Sequence, residues 1–131
     1  MVSSTRLGGG LDQARHCVIT IVAANNYAVT LKGLKRFEEA KSVLRKMMPV
    51  ARRVLGDDHR LTLKMRWTYA QTLYEDDGTT LDDLREAVTT LEDAGRIARR
   101  VFGGAHPNTE GIVGELQKAG AALRARETPD A

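Results

Sequence analysis

A repeated segment is the feature of this sequence that most constrains its fold. Residues 55–62, Leu-Gly-Asp-Asp-His-Arg-Leu-Thr, recur 47 positions later as residues 102–109, Phe-Gly-Gly-Ala-His-Pro-Asn-Thr. The pattern Tyr-Ala-x-Thr-Leu occurs at 27–31 and again at 69–73, an offset of 42. The simplest account is a unit of 42 residues in which one internal loop, at residues 75–80, has received an insertion. Repeats of this length indicate an architecture in which successive units stack on each other.

The apolar pattern predicts that each unit is a hairpin of two helices. In the second half of the units, the matched apolar positions are spaced 3, 4, 3, 4 and 3 residues apart, which places them on one helix face. These positions are Phe37, Ala40, Leu44, Met47, Ala51 and Val54 in one unit, and Leu84, Ala87, Leu91, Ala94, Ala98 and Val101 in the next. The first half of each unit has its own helical pattern around a small residue, Ala28 or Ala70. An all-α fold follows.

Helix boundary signals divide the chain. Gly56 and Gly103 follow the last periodic residue of a helix, Pro107 suits a first helical position, and Thr80 lies three residues before a carboxylate. We predict helices at 12–32, 36–55, 61–75, 81–102 and 108–126. The predicted organisation is a flexible lead-in at 1–11, a repeat domain at 12–126 and a polar tail at 127–131.

The repeated residues resemble the tetratricopeptide repeat, specifically the 42-residue variety of kinesin light chains. That variety carries a linker Leu-Gly-x-x-His-Pro-x-Thr, which Gly103, His106, Pro107 and Thr109 match. Residues 25–28, Asn-Asn-Tyr-Ala, resemble its Asn-Asn-Leu-Ala segment, and residues 37–40, Phe-Glu-Glu-Ala, resemble its Tyr-x-Glu-Ala helix start. Arg60 departs from the linker proline, and residues 67–70 lack both asparagines.

The resemblance implies an α-solenoid of stacked helix hairpins, with about two repeats and a closing C-terminal helix. An antiparallel bundle would share the 3, 4 spacing but would not need the recurring linker. The implied function is a non-catalytic protein–protein interaction module that binds a peptide or protein segment in a groove lined by the first helices. The alternative is a structural or assembly subunit, either the end of a longer array or a chain that self-associates through its N-terminal repeat edge at Cys17, Val18 and Val22.

Seven residues are the predicted groove positions, because they lie within one helical turn of Ala28 or Ala70 on the inward side. They are Asn25, Val29, Lys32, Lys64, Trp67, Gln71 and Tyr74. In the family that the repeat resembles, an asparagine at the position of Asn25 contacts the backbone of an extended peptide. Trp67 would add a large contact surface. The alternative interpretations are that Asn25 faces water and that Trp67 packs in the core between hairpins.

Charge is divided between two segments. Residues 32–66 have a net charge of +7, and residues 75–93 have a net charge of −7. One interpretation is a basic surface that attracts an acidic peptide, with Lys32 and Lys64 at the groove. The other is that neighbouring units pair their opposite charges, within one chain or in a head-to-tail dimer. Nucleic acid is not an expected partner, because the basic segment lacks interleaved aromatic residues for base stacking.

No catalytic, metal or cofactor site is predicted. The histidines at 59 and 106 occupy the same place in successive linkers and are expected to satisfy backbone groups at helix starts, and His16 with Cys17 lacks two further metal ligands. Glycines 8–10 are not followed by the Lys-Ser/Thr of a phosphate-binding loop. Cys17 is expected to be a small buried residue, and a single cysteine favours a reducing, cytoplasmic compartment. The most apolar run, residues 18–24, is too short for a membrane span.

Overall fold

The computed structural model describes the backbone of residues 2–128 and the side chains of residues 15–128. It has five helices: α1 (Val2–Gly33), α2 (Phe37–Leu55), α3 (Arg60–Glu75), α4 (Leu81–Phe102) and α5 (Pro107–Glu127). The all-α fold predicted from the repeat is confirmed, and the described part of the chain contains no strand. Met1 and residues 129–131 lie outside the described residues, so the predicted polar tail is largely beyond them.

The start of the first helix differs from the prediction. Glycines 8–10 favoured an unstructured lead-in, because each glycine weakens a helix by about 1 kcal/mol relative to alanine. The backbone is nevertheless helical from Val2, ten residues before the predicted start at residue 12. Helix propagation adds one hydrogen bond for each residue that it orders, so an established helix can continue through weak positions. The limit of the repeat domain at residue 12 stays a prediction.

The two linkers have the same geometry. His59 and His106 are the N-cap residues of α3 and α5, and each Nδ1 accepts a backbone N–H two residues later, at 3.0 and 3.1 Å. Gly56 and Gly103 end the preceding helices with φ of 92° and 88°, which a side chain rarely adopts. The predicted roles of these histidines and glycines at helix ends are confirmed.

The five inserted residues of the second unit are divided between a loop and a helix. The connection between α1 and α2 has three residues, 34–36, and the connection between α3 and α4 has five, 76–80. Helix α2 has 19 residues and α4 has 22, so the other three extend α4 at its start. Thr80 caps this extension, because its hydroxyl accepts the backbone N–H of Asp83 at 3.1 Å.

The helices are arranged as stacked hairpins. Each helix packs against the next in sequence, and α3 also contacts both α1 and α5. The backbones of α2 and α4 stay apart in the described chain. The fold is therefore an α-solenoid of two hairpins closed by α5, with α1, α3 and α5 side by side; we name this layer the α1–α3–α5 wall.

The core lies between this wall and the outer helices α2 and α4. Its members include the small and branched residues that the periodicity predicted, among them Ala28, Leu31, Ala40, Leu44, Leu63, Ala70, Leu73, Ala87, Leu91 and Ala98. One contact recurs in both linkers. The buried hydroxyls of Thr62 and Thr109 donate to the carbonyl oxygens of Ala51 and Ala98, at 3.4 and 3.2 Å.

Candidate binding site

The seven predicted groove residues lie on two neighbouring helices of the α1–α3–α5 wall. Asn25, Val29 and Lys32 are on α1; the other four, Lys64, Trp67, Gln71 and Tyr74, are on α3. Their environments differ. Val29 and Lys64 are exposed, Trp67 is half-buried, and the remaining four have partners or are buried.

Asn25 and Lys32 are not free groups on an open surface. Asn25 is buried, and its Oδ1 accepts no hydrogen bond from any described residue. The interpretation that Asn25 faces water is therefore wrong. The Lys32 ammonium lies 3.3 Å from the Glu75 carboxylate on α3, and this ion pair joins the two helices.

Gln71 and Tyr74 both donate to Glu115 on α5. The Gln71 Nε2 lies 2.7 Å from one carboxylate oxygen, and the Tyr74 hydroxyl donates to the other. Burial raises the pKa of Glu115, but the hydrogen bonds from Tyr74 and Gln71 more than offset it, so this pKa lies below its usual value. Burial and the Glu115 carboxylate together raise the pKa of Tyr74. Glu115 therefore ties α5 to α3 as a carboxylate.

Trp67 packs against α5 at a glycine. A Cβ atom at Gly111 would overlap the indole Cη2, so the ring occupies the space that any side chain at 111 would need. The indole Nε1 is buried without a hydrogen-bond partner among the described residues. One portion of the Trp67 ring packs between helices, as the core interpretation predicts, and another portion lines a cavity. The assignment of Trp67 to a peptide-binding groove stays a prediction.

This cavity, of about 380 Å³, lies between the N-terminal ends of α3 and α5. Its lining residues are Arg60, Leu61, Leu63, Lys64, Trp67, Asn108 and Ile112. Two of them, Lys64 and Trp67, were predicted from the repeat pattern. Arg60 and Lys64 are exposed and one helical turn apart on α3, so two cations flank an apolar interior.

The opposite charges of the two segments pair within the chain. Four ion pairs join the basic segment to the acidic one: Lys32–Glu75, Lys41–Asp76, Arg45–Glu86 and Arg66–Asp93. Arg66 is buried and contacts Asp93 at 2.6 Å, which lowers the pKa of Asp93. This pairing favours the interpretation that the charges fix the stacking of the units over the interpretation that they form one open basic surface.

Tyr69 is the centre of a network that the sequence reasoning missed. Its hydroxyl accepts from the Arg45 Nε at 2.9 Å and donates to Glu86 at 2.6 Å, and thus joins α2, α3 and α4. Burial, followed by the hydrogen bond to Glu86, raises the pKa of Tyr69 to about 12. The network stabilises the stack and leaves the hydroxyl protonated at neutral pH.

Glu115 and the cavity residues on α5 were also missed. One signal for Glu115 was present, because it lies on the same helix face as Ile112 and Ala119, at spacings of three and four residues. A carboxylate on an apolar face indicates a polar partner on the facing helix. Nothing in the local sequence marks Asn108, because its role arises only where two helix ends meet.

The described side chains hold no group of three or more His, Cys, Asp and Glu residues that could bind a metal ion. Over the same range, no helix has the length and apolar character needed to cross a membrane. Cys17 is a free thiol, and it is partly exposed where the sequence predicted burial.

Comparison with known proteins gives one match. A family model for the tetratricopeptide repeat matches residues 20–61, which include residues 20–33 of α1, all of α2 and the first linker. No curated protein and no solved structure matches the chain. The match supports a tetratricopeptide repeat at residues 20–61, and repeats of this family are in general non-catalytic units of protein–protein interaction.

Proposed function

We propose that this chain is a non-catalytic interaction module that binds a peptide or protein segment along the α1–α3–α5 wall. The residues assigned to direct contact are Val29, Lys64 and Trp67, because they have solvent-exposed surface on the wall. Asn25, Lys32, Gln71 and Tyr74 belong to the same site but act from within it, since they are buried or hold neighbouring helices together.

The observation that most supports this proposal is the position of Trp67. It is the single tryptophan of the chain, and part of its ring lines an open cavity on the wall. Tryptophan provides a large and rigid contact surface, and it is enriched among the residues that dominate binding energy at interfaces. The 42-residue repeat places it in register with Asn25, the position that contacts peptide backbone in the family that the repeat resembles.

The partner is proposed to be acidic at one place only. Much of the basic segment is neutralised by ion pairs within the chain. Arg60 and Lys64 remain exposed beside the cavity, where they would attract a carboxylate of the partner.

Affinity capture from the source cells tests the proposal. The variants Val29→Glu and Lys64→Glu each place a negative charge on the wall and should abolish capture of the partner. Val101→Glu is the matched control, because Val101 on α4 is 42% exposed and Val29 is 43% exposed. If all three variants capture the same proteins as the unmodified chain, the wall is not the binding surface.

A second candidate function, assembly through the N-terminal edge, is favoured by the outer face of α1. Ile19, Val22 and Tyr27 are exposed there, next to the partly exposed Cys17 and Val18. Such a face suits a second copy of the chain or another repeat unit. Sedimentation velocity tests self-association: a single monomer boundary from micromolar to millimolar concentration would contradict it, whereas Ile19→Glu should dissociate any dimer.

We assign the repeat to the kinesin light chain-like type on its linker residues, with Gly56, His59 and Thr62 in one linker and Gly103, His106 and Pro107 in the next. This assignment concerns the type of repeat and does not propose that the chain binds a motor protein. A cytoplasmic location is proposed with it, because one cysteine per chain fits a reducing compartment.

A further inference from the structure

The cavity between α3 and α5 has the features of a small-molecule site. Its volume of about 380 Å³ falls at the lower end of the range of roughly 300–1,000 Å³ that is typical of such sites. The lining combines apolar side chains with a few polar ones. Sites of this composition bind ligands that have an apolar body and a single polar end.

The apolar part of the lining comes from both helices. Leu63 and Ile112 are fully buried and form its inner surface, with Leu61 and the indole of Trp67 beside them. The ring of Trp67 is held in place against Gly111, so the cavity is formed before any ligand binds. A rigid aromatic surface favours a flat or branched apolar group as the contact.

The polar part of the lining is positive. Arg60 and Lys64 are its charged members, and within the described chain no carboxylate lines the cavity. Arg60 is the first residue of α3 and Asn108 the second residue of α5, so two helix N-termini lie beside the same opening. The N-terminal ends of helices carry partial positive charge, which adds to the two side-chain cations.

We propose that this cavity binds a small organic carboxylate, an aromatic or branched-aliphatic acid whose apolar body packs against Trp67 and whose carboxylate contacts Arg60 and Lys64. This goes beyond the proposed function, which concerns a peptide along the whole wall. A neutral ligand of the same shape would lack the attraction to these two exposed cations, so the site favours the carboxylate.

Trp67 makes the proposal directly measurable, because it is the single tryptophan of the chain and it lines the cavity. The probe is 4-iodobenzoate, whose iodine quenches tryptophan fluorescence on contact, and the neutral comparison is 4-iodobenzamide. We expect saturable quenching by the carboxylate with half-saturation below about 1 mM. The amide should give only linear, collisional quenching.

The double variant Arg60→Gln/Lys64→Gln should weaken binding of 4-iodobenzoate by at least about fivefold, the effect of losing an exposed ion pair at the upper end of its usual strength. Both side chains are exposed, so the fold should persist, and circular dichroism verifies it. The matched control is Lys46→Gln/Arg53→Gln, which removes two exposed cations from α2 and should bind as the unmodified chain does.

Three results would overturn the proposal: linear quenching by the carboxylate, equal saturation by the amide, or an unchanged affinity in the Arg60→Gln/Lys64→Gln variant. The outcome is separable from that of the proposed function. Val29→Glu changes the wall on α1 without touching the cavity lining, so it should abolish capture of a protein partner and leave quenching by 4-iodobenzoate intact.

Discussion

The two hairpins place the same residue types at matched positions, yet these residues have different environments. Tyr69 on α3 is 2% exposed, whereas Tyr27, its equivalent on α1, is 53% exposed. Exposure also differs where the residue types differ, since Met65 on α3 is buried and Ala23, at the equivalent position of α1, is exposed. Within the part of the chain that the structure describes, the second hairpin has helices on both sides and the first has them on one side only. Position in the array, and not residue type, therefore decides which aromatic contributes to stability.

The largest expected effect on stability is at the pair of equivalent tyrosines, Tyr69 and Tyr27. Tyr69→Ala should lower the free energy of unfolding by about 3–5 kcal/mol, because it empties a buried aromatic site. Tyr27→Ala should change it by no more than about 0.5 kcal/mol, as is usual for exposed positions. Urea denaturation of the two variants measures both values. Equal losses in the free energy of unfolding would contradict the arrangement in which α3 packs between other helices and Tyr27 on α1 is exposed.

A second substitution removes only the hydroxyl of Tyr69 and so isolates the contribution of its two hydrogen bonds. Tyr69→Phe should cost about 1.5–3 kcal/mol, because the hydroxyl bonds two charged groups, Arg45 and Glu86. The pKa of Tyr69 is raised to about 12, whereas an unfolded tyrosine ionises near pH 10. The protonated hydroxyl of Tyr69 therefore stabilises the fold fully below pH 10, and this stabilisation is lost as the pH rises from 10 to 12. Denaturation curves at pH 8 and pH 11.5 should show this loss in the unmodified chain and a smaller loss in Tyr69→Phe.

Two glycines of α5 should respond in opposite directions to alanine. Gly111→Ala forces the indole of Trp67 to move and should destabilise the chain by about 1–3 kcal/mol. Gly114 has open space around it, so Gly114→Ala should stabilise α5 by about 0.5–1 kcal/mol. Thermal unfolding monitored by the fluorescence of Trp67 measures both changes. Stabilisation by both substitutions would show that Trp67 does not pack on α5.

Substitution of either linker histidine should have an effect of moderate size on the free energy of unfolding. Loss of a cap in His59→Ala or His106→Ala should cost about 0.5–2 kcal/mol. His106 also stacks on Phe102 with ring centroids 4.6 Å apart, so its removal should cost more than that of His59. Asparagine at either position should restore most of the loss, because its side chain can accept the same backbone N–H. An equal loss with asparagine would contradict the capping role.

The smallest expected effect lies in the first turn. Lys35, between α1 and α2, has a φ of 62°, where a side chain is unfavourable. Lys35→Gly should therefore raise the free energy of unfolding by about 0.5–1 kcal/mol. The corresponding change at an exposed helical position, Lys46→Gly, should lower it by a similar amount. Chemical denaturation of the two variants shows whether each substitution raises or lowers the free energy of unfolding.

The fold could be predicted because its signals are local and repeated. The Gly-x-x-His linker, the small residues at Ala28 and Ala70, and the 3, 4 spacing each occur twice in register. The start of α1 was the exception. Glycines 8–10 are poor helix formers, and local preference did not reveal that the helix would extend through them.

The environment of the site could be predicted only in part, because it depends on contacts between distant residues. The sequence placed Lys32, Gln71 and Tyr74 on the wall, but their partners are 41 to 44 residues away, on the neighbouring helix of the wall. Opposite net charges of two segments indicated pairing without specifying the pairs. The cavity likewise requires the ends of α3 and α5 to meet, and no local pattern encodes that.

Nuclear magnetic resonance tests most directly whether α3 lies in one wall between α1 and α5. The indole protons of Trp67 are assigned without ambiguity, because the chain has one tryptophan. The stack predicts strong nuclear Overhauser effects from the Hη2 and Hζ2 protons of Trp67 to the α-protons of Gly111. An indole whose only contacts are within α3, or with residues of α2, would contradict the arrangement on which the binding site, the cavity and the stability comparison all depend.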